Sequence, residues 1–303
     1  MTDATVAGTR SQNETRQSSN PDLHIPTRRM DFEQAIKTVP KHFAKDGDLV
    51  SSHITSALSS VFPDGEDFFV KSVRHFRDQI TDPALKKQVG GFIGQESVHG
   101  REHRVLNDHL AELGYPTKQV EWLTQKGLAA RWRFAPKKAS LAMTAALEHF
   151  TATLAELILS DENARDMFGD ETVKNLFLWH ALEEAEHKSV AFDVYKLVGG
   201  SERLRVWTMN FLRFGFPIGI AFNVLVSLLF DKATYKPGRL RKSLKRVKNS
   251  PLLTKELWAQ LKDYNRPDFH PNQSDKTGLV DKWREELFGA NGTLNDKLAG
   301  VAA

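Results

Sequence analysis

From about residue 48 to residue 198 the chain is a succession of long patterns of helical period, broken at Pro, Gly and Asp, with no convincing run of alternating strand residues. The segment 49–62 has apolar residues at helical spacing and ends at Pro63, where Asp64 can cap a second helix over 65–80. A third runs from about Pro83 to Leu113 and stops at Gly114-Tyr115-Pro116; a shorter one covers about 117–132. Then 136–160 reads as one long helix with Pro136 near its start, and 171–198 as another ending at Gly199-Gly200. Long helices with short breaks make an all-α bundle.

The helix over 171–198 contains WHALEEAEH, residues 179–187. At 100° per residue His180, Glu184 and His187 fall within about 60° of arc, one face over two turns. Glu183 lies on the flank of that face and Glu186 points well away. The helix over 83–113 repeats the arrangement: Glu96, His99 and His103 also share a face. Each helix thus carries Glu-x2-His, a carboxylate and an imidazole one turn apart. Two such helices packed together present two sets, one per metal ion, and two further helices should each add a Glu. Glu148 lies mid-helix among small and apolar residues, and Glu66 shares a face with Phe69, Val70 and Val73. A carboxylate on an apolar face is costly to bury unless it is paired or bound to a metal. Glu66 sits only two residues past the expected cap at Asp64, which suggests that its helix begins earlier than Pro63 implies.

A solvated Glu-x2-His pair is the ordinary reading of one such motif; two of them with two inward Glu make a dinuclear site the better one. His180 is either a ligand or a hydrogen-bonding support. His103 is expected to orient a carboxylate or line the pocket, Glu183 is an alternative to Glu184 that breaks the spacing, and His149 is ordinary. The chain has no cysteine, which excludes disulfides, zinc fingers, iron–sulfur clusters and a thiol nucleophile. Any transition metal must be held by His and carboxylates.

The order Glu66; Glu96 and His99; Glu148; Glu184 and His187 resembles the ferritin-like di-iron carboxylate proteins, and His180 gives the last motif the His-x3-Glu-x2-His form of the p-aminobenzoate N-oxygenase branch. The segments PxGExFF at 63–69, ExxHxxxH at 96–103, HxxEExEH at 180–187 and FHP at 269–271 are similar to a bacterial family labelled "predicted metal-dependent hydrolase", over roughly 50–275. The resemblance implies a ferritin-like four-helix bundle with extra helices, and two Fe ions, with Mn or Zn as alternatives, held by Glu66, Glu96, His99, Glu148, His180, Glu184 and His187. It implies an O2-dependent oxidase or oxygenase that hydroxylates, desaturates or N-oxygenates its substrate with an unidentified electron donor; the apolar run at 214–230 suggests that this substrate is apolar and lipid-like. The alternatives are a two-metal hydrolase of an ester or phosphate and a non-catalytic membrane-associated helical scaffold.

Residues 1–28 are polar, without an apolar run, and read as a disordered tail without a secretory signal, which favours the cytoplasm. The bundle is assigned to 29–204, an apolar helix with a polybasic segment to 205–250, and a C-terminal extension to 251–303, with a short amphipathic helix near 279–288. Residues 214–230 form a 17-residue uncharged run, and 232–250 hold eight Lys or Arg and no acid. The net charge of +4 is therefore one basic block on an otherwise mildly acidic chain, unlike the spread basic face of a nucleic-acid binder. The pairing suggests peripheral association with an anionic membrane surface on its cytoplasmic face; Pro217, Gly215, Gly219 and Asn223 weaken a spanning helix. A buried bundle helix followed by a solvated basic tail is the plainer alternative.

Overall fold

The computed structural model describes residues 24–274 and 277–300. Among these the chain is all-α, with one isolated bridge, Met30 to Leu298, as its only strand-like pairing. Ten helices have eight residues or more: α1 Leu49–Arg74, α2 Pro83–Glu112, α3 Thr117–Phe134, α4 Lys137–Ser160, α5 Glu171–His187, α6 Val190–Leu197, α7 Glu202–Phe230, α8 Arg239–Lys248, α9 Lys255–Asp263 and α10 Thr277–Phe288.

Helices α1, α2, α4 and α5 form a bundle between two apolar clusters. One cluster contains Leu106, Leu110, Ala155, Leu159, Phe177 and Leu182; the other contains Phe68, Val73, Phe92, Leu141, Ala145 and Val190. Helices α1, α2 and α4 pass from one cluster to the other, and α5 leads out of the first into α6, which lies in the second, so each direction is fixed. Helix α1 is antiparallel to α2, and α4 is antiparallel to α5. Helices α2 and α4 run the same way, joined by a crossover that contains α3 and packs on α1. One long crossover in a four-helix bundle is a known variant of the architecture. Between the clusters lies a layer of buried Glu and His.

Three expectations need correction. Pro63 does not end a helix: α1 is one helix of 26 residues that runs through it, capped by Asp48, whose carboxylate accepts from the Ser51 amide at 2.9 Å, and Asp64 caps nothing. A proline at position 63 has no N–H for the Ser59 carbonyl four residues earlier. Asn107 of α2 supplies the replacement, donating Nδ2 to the Ser59 carbonyl at 3.0 Å. Glu66 therefore sits mid-helix. The segment 171–198 is two helices, α5 and α6, interrupted at Lys188 and Ser189 directly after His187. Of the tail assigned to 1–28, residues 1–23 lie outside the described residues, but 24–32 pack as a strap on α2, with Ile25, Arg28, Met30 and Phe32 buried. Gly91 and Gly94 permit that approach: a Cβ on either would collide with Ile25 or Thr27.

Helix α7 is continuous through Pro217, and α8 and α9 pack beyond it against α1 and α4. It is not a buried bundle helix: only 22% of its most apolar 18-residue window is buried. The FHP segment lies away from the polar layer, with Phe269 against Tyr264 and His149, and His270 Nε2 2.9 Å from Asp193 Oδ1 on α6.

Candidate metal centre

The structure brings all seven expected donors into the buried layer: Glu66 from α1, Glu96 and His99 from α2, Glu148 from α4, and His180, Glu184 and His187 from α5. None is more than 4% exposed. They form overlapping triplets whose donor atoms lie within 4.8 Å of one another: Glu66–His99–His180, Glu96–His99–Glu184 and Glu96–Glu148–His187.

The grouping crosses the two sequence motifs, because two carboxylates span the layer. Glu184 places Oε1 3.0 Å from His180 Nε2 and Oε2 3.6 Å from His187 Nε2. Glu96 places Oε1 3.0 Å from His187 Nε2 and Oε2 4.0 Å from His99 Nδ1. Glu66 closes the side of His180 at 3.7 Å, and Glu148 the side of His187 at 3.4 Å.

These approaches are close, yet few are hydrogen bonds. No protein group hydrogen-bonds either oxygen of Glu66, Glu96 or Glu148, nor His99 Nδ1 or His187 Nε2, all eight atoms buried. Buried polar atoms are almost always partnered. Eight orphans aimed at one spot are what a cation would satisfy. The charges agree: four carboxylates would balance two divalent ions, and three imidazoles complete a nitrogen and oxygen donor set suited to iron, manganese or zinc.

Electrostatics point the same way. Burial, with Glu148 beside it, pushes the Glu96 carboxyl up to about 8. Burial and Glu184 push Glu148 up to about 7, and burial with Glu96 and Glu184 holds Glu66 well above the usual range. Burial also works against Glu184, but His187 and His180 outweigh it and hold that carboxylate well below its ordinary value. Burial keeps His99 neutral, His180 adding to the effect.

The outward nitrogens are held by partners that fix which nitrogen faces the layer. His99 Nε2 meets Glu183 Oε2 at 3.0 Å, leaving Nδ1 inward. His187 Nδ1 donates to Gln95 Oε1 at 2.8 Å, leaving Nε2 inward. For His180 the chain is longer. Asn107 Nδ2 donates to the Ser59 carbonyl and to Glu121, so its Oδ1 accepts, and the Ser59 hydroxyl donates to it at 2.7 Å. The contact of Ser59 Oγ with His103 Nδ1 at 2.9 Å then has the imidazole donating. His103 Nε2 is left to accept from His180 Nδ1 at 2.7 Å, which leaves the His180 Nε2 lone pair inward. His103 and Glu183 thus stand behind the layer, while Glu184 stands in it.

The sequence reading missed the next ring out. Glu186 does not point to solvent: it accepts two bonds from Arg28, at 2.8 and 2.9 Å, one from Gln95 at 2.9 Å and one from Arg284 at 3.0 Å. Arg28 also donates to Glu183 at 2.9 Å. The adjacent acids in HALEEAEH were the available signal, since a buried helix face rarely carries so many without a cation behind it.

Two apolar cavities reach the layer. One, of about 320 Å3, lies between α1, α3, α4 and α7, with Glu66 and Glu184 at its floor and Phe69, Leu128, Met143 and Leu147 among its walls. The other, of about 70 Å3, touches His180 and Glu184 from the side of Ile54, Leu58 and Leu154. Thr151 Oγ1, on both cavity walls, donates to Glu184 Oε2 at 2.5 Å.

A second His–carboxylate group lies at the C-terminal end of α7. Asp231 Oδ2 is 2.8 Å from His42 Nε2, 3.1 Å from His53 Nε2 and 3.7 Å from the Lys41 ammonium. Asp231 Oδ1 accepts from the Ala233 amide, and His53 Nδ1 meets Ser227 Oγ at 2.6 Å. Every polar atom of His53 and Asp231 is partnered.

The chain belongs to the family described as "predicted metal-dependent hydrolase", whose profile matches residues 26–275. No curated protein and no solved structure matches it.

Proposed function

We propose that this family member is a dinuclear metal enzyme acting on an apolar substrate. Glu66, His99 and His180 would hold one ion, Glu148 and His187 the other, with Glu96 and Glu184 shared. The eight unpartnered donor atoms in the buried layer carry this reading. The single long crossover and the Glu, Glu-x2-His, Glu, Glu-x2-His order support a ferritin-like di-iron relationship by resemblance.

Two reaction classes fit such a pair: as Fe(II) it supplies electrons for O2 reduction, and as Mn or Zn it supplies a water nucleophile for hydrolysis. The cavity lining favours the first. Apart from Glu66 and Glu184, the walls of the larger cavity carry no charged side chain. Such walls exclude water, admit O2 and hydrocarbon, and offer nothing to bind a phosphate. The chain's own residues would seat the substrate by apolar contact with Phe62, Phe69 and Leu147, and hold Glu184 in place through the Thr151 hydroxyl. The family description supports the second class, in which an ester with an apolar chain would be cleaved.

Metal analysis of purified protein tests the centre: two ions per chain are expected, and well under one would leave only a helical scaffold with a buried polar network. Anaerobic Fe(II) loading followed by O2 separates the classes. Oxygen uptake with a transient visible absorption supports oxidation. No oxygen response, with Mn- or Zn-supported cleavage of a long-chain ester, supports hydrolysis.

A further inference from the structure

Helix α7 is bound to the bundle on one side only. Arg205, Met209, Leu212, Val224 and Leu228 are buried against it. On the other side, from Trp207 through Phe211, Ile218 and Phe222 to Leu229, seven large apolar side chains recur every three or four residues, each more than half exposed. The stripe is about 33 Å long at 1.5 Å per residue. Exposed apolar surface of that extent marks an interaction site. No acidic residue occurs between Arg203 and Phe230.

Directly after the stripe come Lys232 and Lys236 and then α8, with Arg241, Lys242, Lys245 and Lys248. All six are exposed, and none is in an ion pair among the described residues. Leu240 and Val247 of α8 pack against the cluster in which Val224 and Leu228 of α7 meet Leu49 and Val50 of α1, so the basic helix is fixed near the end of the stripe. An apolar strip alone would suit a second copy of the chain or a protein partner. Six unpaired cations fixed beside it call for a polyanion, and anionic phospholipid offers negative headgroups and an apolar phase together. The bound inner face means that α7 cannot cross a bilayer alone without carrying the bundle into hydrocarbon; it can only lie in the plane of the surface.

We propose that the outer face of α7 lies in the surface of an anionic phospholipid bilayer with α8 against the headgroups, and that the larger cavity opens there to a single hydrocarbon chain. Phe211 is the link: it belongs to the exposed stripe and, with Leu212, Gly215 and Phe216, forms the α7 wall of the cavity whose floor is Glu66 and Glu184. A Cβ at Gly215 would have the Phe211 ring as its nearest neighbour at 3.7 Å, so a side chain added there would stand beside Phe211 on this wall. The substrate would then be an apolar chain drawn sideways from the membrane. This second half deepens the proposed function and rests on it; the docking half does not.

Flotation of the full metal-free chain with phosphatidylglycerol/phosphatidylcholine vesicles tests the docking half without reference to catalysis. Binding is expected to the mixed vesicles, little to pure phosphatidylcholine, with weakening as salt rises. The double variant Ile218→Glu/Phe222→Glu should lower partitioning by about tenfold or more. Lys242→Glu/Lys245→Glu should do the same and abolish the preference for anionic lipid. Both pairs are exposed, so unchanged circular dichroism is the control for folding. Absence of flotation, flotation equal in wild type and both variants, or a stripe-dependent dimer in lipid-free buffer without vesicle binding would each overturn the proposal. For the cavity half, Gly215→Trp should leave flotation unchanged and cut retention of radiolabelled lauric acid by the vesicle-freed protein about tenfold. Equal retention would overturn the lateral opening while leaving the metal centre, read by elemental analysis, untouched.

Discussion

The molecule holds two clusters of histidine and carboxylate, and they are built on opposite principles. At the end of α7, Asp231 gathers His42, His53, Lys41 and the Ala233 amide, and each contact completes another. Burial works against that carboxylate, but these donors hold it ionised, well below its usual range. In the central layer, four carboxylates face each other and three of them have no hydrogen-bond partner at either oxygen. The same residue types thus serve as a finished clamp in one place and as an unbalanced charge cage in the other. Satisfaction of polar atoms, more than the presence of His and Glu, separates a structural cluster from a candidate ion site.

The sharpest way to break this contrast is to remove one carboxylate from each cluster. Glu184→Ala or His187→Ala should abolish dinuclear loading, read by elemental analysis; two ions retained per chain would defeat the assignment. Glu96→Gln should also lose metal while raising the melting temperature of the metal-free protein, because it removes one of several repelling buried acids. Asp231→Ala should do the reverse, costing about 1–3 kcal/mol in chemical denaturation by leaving buried His53 and the Ala233 amide without their acceptor, with metal content unchanged. Equal behaviour of the two clusters would erase the distinction.

The clamp also has a pH signature. Burial holds His53 down to about 4, against 6.5 when unfolded. The unfolded chain takes up that proton first, so the clamp's contribution is intact above pH 6.5 and declines as pH falls toward 4. Thermal melts of wild type and His53→Gln should therefore converge at the acid end of that window.

Smaller effects sharpen the picture of the centre. Glu183→Gln should weaken metal affinity about 10- to 100-fold by loosening the hold on His99, with the fold intact; unaltered affinity would reduce Glu183 to a bystander. Metal loading near neutral pH should release protons, since Glu96 and Glu148 are pushed up to about 8 and 7. Affinity should accordingly rise with pH by up to about tenfold per unit for each proton displaced. Calorimetry in buffers of differing ionisation enthalpy reads that release.

The helices and the inward donors were legible in the sequence because both depend on local periodicity. His180, Glu184 and His187 must share a face whatever surrounds them. What was not legible depends on partners distant in the chain. Pro63 reads as a stop because its own neighbours cannot serve the Ser59 carbonyl; the group that does, Asn107, is 48 residues away. Glu186 reads as pointing away from the donor face from its angle alone, and only the strap and α10, by bringing Arg28 and Arg284 to it, make it part of the site. The polar residues before Arg28 make 1–28 read as a tail, although Ile25 stands apart from that composition and the apolar Met30 and Phe32 follow directly. Likewise, the exposure of α7 is invisible to composition, since a core helix and a surface helix of this length can be equally apolar.

The strap has a consequence for biosynthesis. Arg28 leaves the ribosome 155 residues before Glu183, its partner, so it must wait unpaired through the translation of four bundle helices. Residues behind His99 and His187 are therefore braced only when an early segment returns to a late helix. Maturation of the centre should follow chain completion, and a bulky fusion placed close to residue 24 should yield folded bundle that loads metal poorly.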